Sequence, residues 1–268
     1  SNPCSPVRKH HESGAIFIFW DNFKRRDNMY QFDSRVRYSE VNSEKQMTLV
    51  ALVDYLQDCC TFQSEDMGLG VDYLSAHHCA WVLSSWEIKI VRYPKLAEHI
   101  TVATWPYSFK GFYGYRNFTI CDEAGEVCAY ANSVWVFMDT EKMRPMRITP
   151  EIQEAYEKVI EPQIEDDWAD RKVEAAEKGV QKAPVTVQHF HIDTNHHMNN
   201  GKYILVAEGF LPDDDPVESI RVEYKKAAVL GDVLYPFVFT EGDRVTVSLA
   251  DEQEKPYATI QFKRKREC

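Results

Sequence analysis

At 268 residues, with 44% hydrophobic and 27% charged side chains, the chain is long enough for one large or two small folded domains. Its 13% aromatic content excludes disorder over most of its length, and 11 Gly and 12 Pro exclude a collagen-like or low-complexity chain. Against 42 acidic residues stand 31 basic ones, and the net charge of −11 repels phosphate backbones, so no nucleic-acid partner is expected.

No apolar run approaches the ~20 residues of a membrane-spanning helix, so no membrane span is expected. The longest apolar patch near the N-terminus runs from Ala15 to Trp20. Asp21-Asn22 follow it where a secretory segment would end in small residues. The seven cysteines, at 4, 59, 60, 79, 121, 128 and 268, are odd in number and include no C-x-x-C pair. This pattern reads as a reduced, cytoplasmic chain with no zinc ribbon.

Residues 1–28 carry scattered charge and no sustained period. They read as an extension or a translated leader, with Met29 as the native start and Arg25-Arg26 encoded by a ribosome-binding sequence. From Met29 the chain is regular. Residues 30–38 alternate like a strand. Leu49, Leu52, Val53, Leu56 and Cys60 recur at three and four residues, predicting a helix over 47–63 that Gly68-Leu69-Gly70 ends. β-Branched and aromatic runs at 81–93, 99–109, 112–121 and 127–137 predict four antiparallel strands. Pro94, Pro106, Lys110-Gly111 and Asp122-Glu123-Ala124-Gly125 separate them. Residues 141–181 read as a helical charged linker, with Thr149 as cap, Pro150 at the first turn, and Glu and Ala dominating to Gly179. A short strand at 186–190, a helix over 200–211 and strands at 219–228, 233–240, 245–249 and 256–262 complete the chain.

The second half repeats the first. Tyr38-Ser39-Glu40-Val41-Asn42 aligns on His191-Ile192-Asp193-Thr194-Asn195, each before a long helix. Ile88-Lys89-Ile90 and Leu96-Ala97-Glu98 align on Val222-Glu223-Tyr224 and Leu230-Gly231-Asp232 at constant spacing. Two βαββββ units in tandem suggest duplication. The arrangement resembles the hotdog fold, and the expected class is α+β: a tandem double hotdog of two antiparallel sheets, each wrapped around a long helix. The expected division is an N-terminal hotdog over 29–140, the linker over 141–181 and a C-terminal hotdog over 182–268. A lone hotdog dimerises; here the second copy supplies the partner, and a further homodimer stays open.

The densest polar cluster runs from His189 to Asn200 and admits three readings. Asp and Asn before a helix commonly cap its free N–H groups, but capping leaves four histidines in nine residues unexplained. His189, His191, His196 and His197 offer imidazoles for zinc, yet no Cys or H-E-x-x-H accompanies them. Asp193, Asn195 and His197, two apart, would share one face of an extended segment beside a helix N-terminus. A carboxylate, an amide and an imidazole at the positive end of a helix dipole suit acyl-transfer hydrolysis.

Residues 193–203, which read Asp-Thr-Asn-His-His-Met-Asn-Asn-Gly-Lys-Tyr, resemble the acyl-acyl-carrier-protein thioesterase pattern D-x-N-x-H-x-N-N-x-K-Y. Other stretches resemble the same family in order. Trp81-Val82-Leu83 leads to Arg92-Tyr93-Pro94, and Ser133-Val134-Trp135-Val136-Phe137-Met138 resembles S-x-W-V-x-M. Val222-Glu223-Tyr224-Lys225-Lys226 resembles L-E-Y-R-R. The resemblance covers about residues 29–265. It implies that Asp193 activates water or attacks the thioester, that Asn195 orients the carboxylate or the substrate carbonyl, and that His197 shuttles a proton. It implies hydrolysis of acyl-acyl carrier protein to a free fatty acid, in the cytoplasm, with the acyl chain along the first long helix. It implies neither a cofactor nor a metal. Plant members carry Glu-Cys after the L-E-Y-R-R stretch, whereas this chain has Ala227-Ala228, which argues against a cysteine nucleophile. In the first copy Glu40 and Asn42 match, with Glu44 where His197 stands, so one active site per chain is expected. An acidic carrier needs a basic patch: Lys225-Lys226 is the first choice, and Lys263-Arg264-Lys265-Arg266 the second. The rivals are an acyl-CoA thioesterase or hydratase of the same fold, and a hotdog that binds acyl chains without turnover.

Overall fold

The computed structural model describes residues 28–174, 179–212 and 216–265. Residues 1–27 of the expected leader and Arg266 of the basic run lie outside them. In chain order the first half holds β1 (Tyr30–Arg35), α1 (Leu49–Asp66), α2 (Val71–Ala76), β2 (Cys79–Ile90), β3 (His99–Lys110), β4 (Tyr113–Asp122) and β5 (Val127–Asp139). Between the halves lie β6 (Arg144–Pro145) and α3 (Pro150–Glu157). The second half holds β7 (Val180–Gln181), β8 (Val185–Thr186), α4 (Asn200–Glu208), β9 (Val217–Tyr224), β10 (Val233–Glu241), β11 (Arg244–Ala250) and β12 (Pro256–Arg264).

α1 begins at Thr48, whose side chain accepts the Ala51 N–H at 3.2 Å. It ends at Met67, before Gly68 turns the chain at φ 70°. Leu52, Val53, Leu56 and Cys59 are fully buried, because β1, β3 and β4 wrap this helix. α4 packs in the same way on β11 and β12, and the two helices touch each other.

The fold is a tandem hotdog of the α+β class. Its two antiparallel sheets join edge to edge, in the order β1-β3-β4-β5-β2-β9-β12-β11-β10-β7. The joint is the antiparallel β2–β9 pair, in which residues 85–89 face 219–223. One apolar core runs across it, from Leu52, Trp86 and Phe118 to Ile220, Val247 and Phe262.

Two expectations need correction. The short strand at 186–190 stops at Thr186, and a 3-10 turn follows at His189–His191. The linker is helical only over α3; beyond it lies an extended strap anchored by single side chains. Ile152 and Tyr156 tuck into a satellite core with Phe137 and Ile148. Buried Asn117 accepts the Ile164 N–H at 2.8 Å, and the Trp105 indole donates to Pro162 O at 3.0 Å. Lys89 pairs with Asp166 at 2.9 Å. Further on, Arg221 donates to Asp170 O and Lys172 O, each at 2.8 Å, so the strap crosses from one half of the sheet to the other.

Candidate active site

The polar cluster begins in the 3-10 turn at His189–His191. The Gln188 N–H donates to His191 Nδ1 at 3.0 Å. Burial pushes the His191 pKa down and Lys202 adds to the effect, so this ring stays neutral. Asp193 to His197 do not form the expected extended segment. They form a tight turn: Asp193 N–H donates to His197 O at 2.8 Å, and His196 N–H to Asp193 O at 3.1 Å. His196 adopts φ 60°, and Ile192 bridges Met198 to close the loop. Asp193 Oδ1 accepts the N–H groups of Asn195 at 2.8 Å and His197 at 3.4 Å. Asp193, Asn195 and His197 therefore share one turn because the Asp193 side chain organises it.

The first half builds the same turn, at a register two residues away from the one the sequence suggests. Asn42 N–H donates to Gln46 O at 2.9 Å and Lys45 N–H to Asn42 O at 3.0 Å. Lys45 adopts φ 61°, and Val41 bridges Met47. Asn42 Oδ1 accepts the N–H groups of Glu44 and Gln46, both at 3.0 Å. The counterpart of Asp193 is thus Asn42, that of Asn195 is Glu44 and that of His197 is Gln46, not the Glu40, Asn42 and Glu44 of the residue alignment. Glu40 instead matches His191: each closes its 3-10 turn by accepting the N–H three residues before it.

α4 begins beside the catalytic candidate turn. Asn199 caps it by accepting the Gly201 N–H at 2.9 Å. Asn200 reaches across to α1, its amide donating to Gln57 Oε1 at 3.3 Å. Two tyrosines fix this junction: Tyr224 OH donates to Asn200 O at 3.0 Å, and Tyr203 OH accepts the Ala228 N–H at 2.8 Å. The helices pass closely at Gly201, where a Cβ would stand 2.8 Å from Asp54 Oδ1 on α1 and push that side chain aside. Burial raises the pKa of that Asp54 carboxyl, against the pull of Lys202.

A cleft of about 720 Å³ joins this turn to the interior of the first half. Asp193, Asn195, His197 and Ala227 line one end. Cys60, Thr61, Trp81 and Leu83 line it as well, as do Ser64, Arg116 and Tyr156. Burial pushes the Cys60 thiol up to about 11 and raises Cys79 as well, which leaves the cleft's cysteines as poor nucleophiles. Ala227 lines the cleft, whereas Ala228 is fully buried beneath it.

Among the described residues the four histidines do not converge as metal ligands. The one triad of ligand atoms is Glu98, Asp122 and Cys128, and Arg92 already pairs with both of its carboxylates. Three lysines of the two basic patches stand beside carboxylates. Lys225 pairs with Glu223 at 3.5 Å, Lys226 with Asp251 at 3.3 Å, and Lys263 with Glu218. The side chains of Lys225 and Lys226 remain 40% and 54% exposed. The sequence reading also missed Arg116 and the tyrosine pair. A lone Arg on a strand has no spacing signal, and the two tyrosines stand in the quoted stretches only as the Y of K-Y and of L-E-Y-R-R, with no role attached.

The family model for the acyl-ACP thioesterase N-terminal domain matches residues 27–156, and that for the C-terminal domain matches 174–262. The chain belongs to the acyl-ACP thioesterase family. Among this family's plant proteins, the oleoyl-acyl carrier protein thioesterase 2 of Arabidopsis thaliana is 24% identical over 80% of this chain. The palmitoyl-acyl carrier protein thioesterase of Cuphea hookeriana is 27% identical over 71%. The chain spans 63% and 50% of the lengths of those two relatives. A solved structure described as an oleoyl thioesterase from Lactobacillus plantarum is 27% identical, with TM-score 0.76 over 89% of this chain and 97% of that one. The acyl-ACP thioesterase structure from Bacteroides thetaiotaomicron shares the fold at TM-score 0.78 and 22% identity, covering 92% of this chain and 99% of its own.

Proposed function

We propose that this member of the acyl-ACP thioesterase family hydrolyses the thioester of acyl-acyl carrier protein and releases a free fatty acid, ending chain elongation in the cytoplasm. In this reading the half over 29–140 holds the acyl chain, the half over 182–268 carries the chemistry, and residues 141–181 strap them together. No helix is long and apolar enough to cross a membrane among the described residues.

The observation that carries the reading is the cleft that the Asp193 turn shares with α1. Asp193 Oδ1 is held by two backbone N–H groups, while Oδ2 has no partner among the described residues and is available to take a proton from water. The water oxygen bonds to the carbonyl carbon, the C–S bond breaks, and the carrier's thiolate leaves with a proton that His197 supplies. Asn195 orients the carbonyl, and the N-terminal end of α4 offsets the negative charge that grows on its oxygen. In the second route Asp193 attacks the carbonyl, the thiolate leaves, and water opens the resulting anhydride; ¹⁸O from water found in Asp193 after a single turnover identifies this route, because general-base hydrolysis places the label in the fatty acid.

The test is kcat/KM on matched acyl-carrier-protein, acyl-CoA and enoyl-CoA substrates of several lengths. The proposal expects hydrolysis to be fastest on the carrier-protein series. Turnover confined to acyl-CoA, hydration of enoyl-CoA, or binding of acyl chains with no turnover would each contradict it in favour of the corresponding rival.

A further inference from the structure

The cleft is polar at Arg116, where a plain hydrocarbon tail calls for apolar walls. Arg116, on β4, lines the cleft while being only 8% exposed. Its Nη1 donates to Gln63 Oε1 and to Thr104 Oγ1, and its guanidinium lies 5.6 Å over the Tyr156 ring. All three partners are uncharged, and no carboxylate pairs with Arg116 among the described residues. Its Nε and Nη2 have no acceptor among the described residues, and Arg116 is part of the cleft wall, so these are the donors it can offer to a bound chain. Beside them Ser64 Oγ and Tyr156 OH share a hydrogen bond of 2.8 Å and line the same cleft.

The position along α1 matters. Gln57 touches Asn200 next to the Asp193 turn, and Ser64 lies seven residues further along the helix. At 1.5 Å per residue that is roughly 10 Å from the turn, several methylenes down a bound chain. An alkyl tail reaching this point would strip water from the guanidinium donors and give nothing back, which is costly for a buried charge. An oxygen at that depth would receive a charge-assisted hydrogen bond instead.

We propose that Arg116, with Ser64 and Tyr156, forms a subsite that selects acyl chains carrying an oxygen acceptor well down the chain, such as a hydroxyl, keto or carboxylate group. The proposal rests on the reading of the cleft as the acyl channel and adds a substrate class to it.

The test compares carrier-protein substrates of equal length, with and without a terminal hydroxyl or carboxyl, across medium lengths. The wild type is expected to favour the oxygenated chain by at least about tenfold in kcat/KM at one or more lengths. Arg116→Met is expected to abolish or invert that preference, and Ser64→Ala to reduce it severalfold. The hydroxyl and carboxyl series, measured side by side, tell the two acceptors apart. Preference for the plain chain at every length, or a preference that both variants keep, would overturn the subsite. Calorimetric binding of free hydroxy and plain fatty acids to the wild type and Ser64→Ala supplies a readout independent of turnover and of whether Arg116→Met folds. Oxygen-selective binding that Ser64→Ala weakens, without hydrolysis of any substrate, would sink the hydrolase and keep the subsite. Hydrolysis with no oxygen selectivity would do the reverse.

Discussion

Asn42 accepts with its amide oxygen the same two backbone bonds that Asp193 accepts with a carboxylate. The turn therefore needs an acceptor at this position and not a charge. Asp193→Asn is expected to fold and melt like the wild type, which separates its structural role from its chemical one. That the three candidate residues lie together was legible in the sequence: Asp193, Asn195 and His197 all line the cleft. Their local geometry was not. Asn42 and Asn195 match as letters, so the residue alignment drew the two turns together two positions out of step. The true register is fixed by backbone conformation, through positive φ at Lys45 and His196, and two such different side chains do not advertise it. Arg116 was illegible for a related reason: its burial arises from α1, β3 and α3 converging on one strand position, which no local pattern encodes.

At the scale of elements, periodicity worked where one face meets a large core. Leu49, Leu52, Val53 and Leu56 located α1, and the alternating runs located the strands of both meanders. It failed for the strap, whose anchors act singly. Asn117 is fully buried, donates from Nδ2 to Ala131 O at 3.1 Å and accepts the Ile164 N–H at 2.8 Å. Replacing it with Ala leaves both groups without their partner, at about 1–3 kcal/mol for each buried group left unsatisfied. Asn117→Ala should lower the urea midpoint and speed proteolytic cutting between 160 and 174. A variant as stable and as resistant as the wild type would show that the strap is held by its other anchors, among them Ile164, Trp168 and the Lys89–Asp166 pair.

Across the whole molecule, duplication was readable but the seam was not: two sheets were expected, and the β2–β9 pair makes them continuous. Strand partners across a seam depend on which edges meet, and each edge alone reads like any other strand. The acidic balance also has a local counterweight at Arg92, which joins Glu98 and, at 2.6 Å, Asp122. The hydrogen bond from Arg92 holds the Glu98 carboxyl below its ordinary range. For Asp122 burial pulls upward, but Arg92 and the Glu126 N–H outweigh it. Depressed folded-state values mean that this contribution is present above the unfolded carboxylate range near ~4 and is lost as pH falls through the lower folded values. Arg92→Met should therefore lose stability at neutral pH, and the gap to the wild type should narrow as the pH falls through the depressed folded-state values. A gap that stays constant with pH would mean that Arg92 acts through packing and not through charge.

The most direct measurement of the central claim is hydrolysis of acyl-carrier-protein substrates by the wild type and Asp193→Asn, side by side, with melting curves for both. A general base removed from a positioned water typically costs ~10²–10⁴ in rate. The account predicts a loss of that size in a protein that melts normally. Unchanged hydrolysis by Asp193→Asn would contradict it and move the chemistry away from this turn.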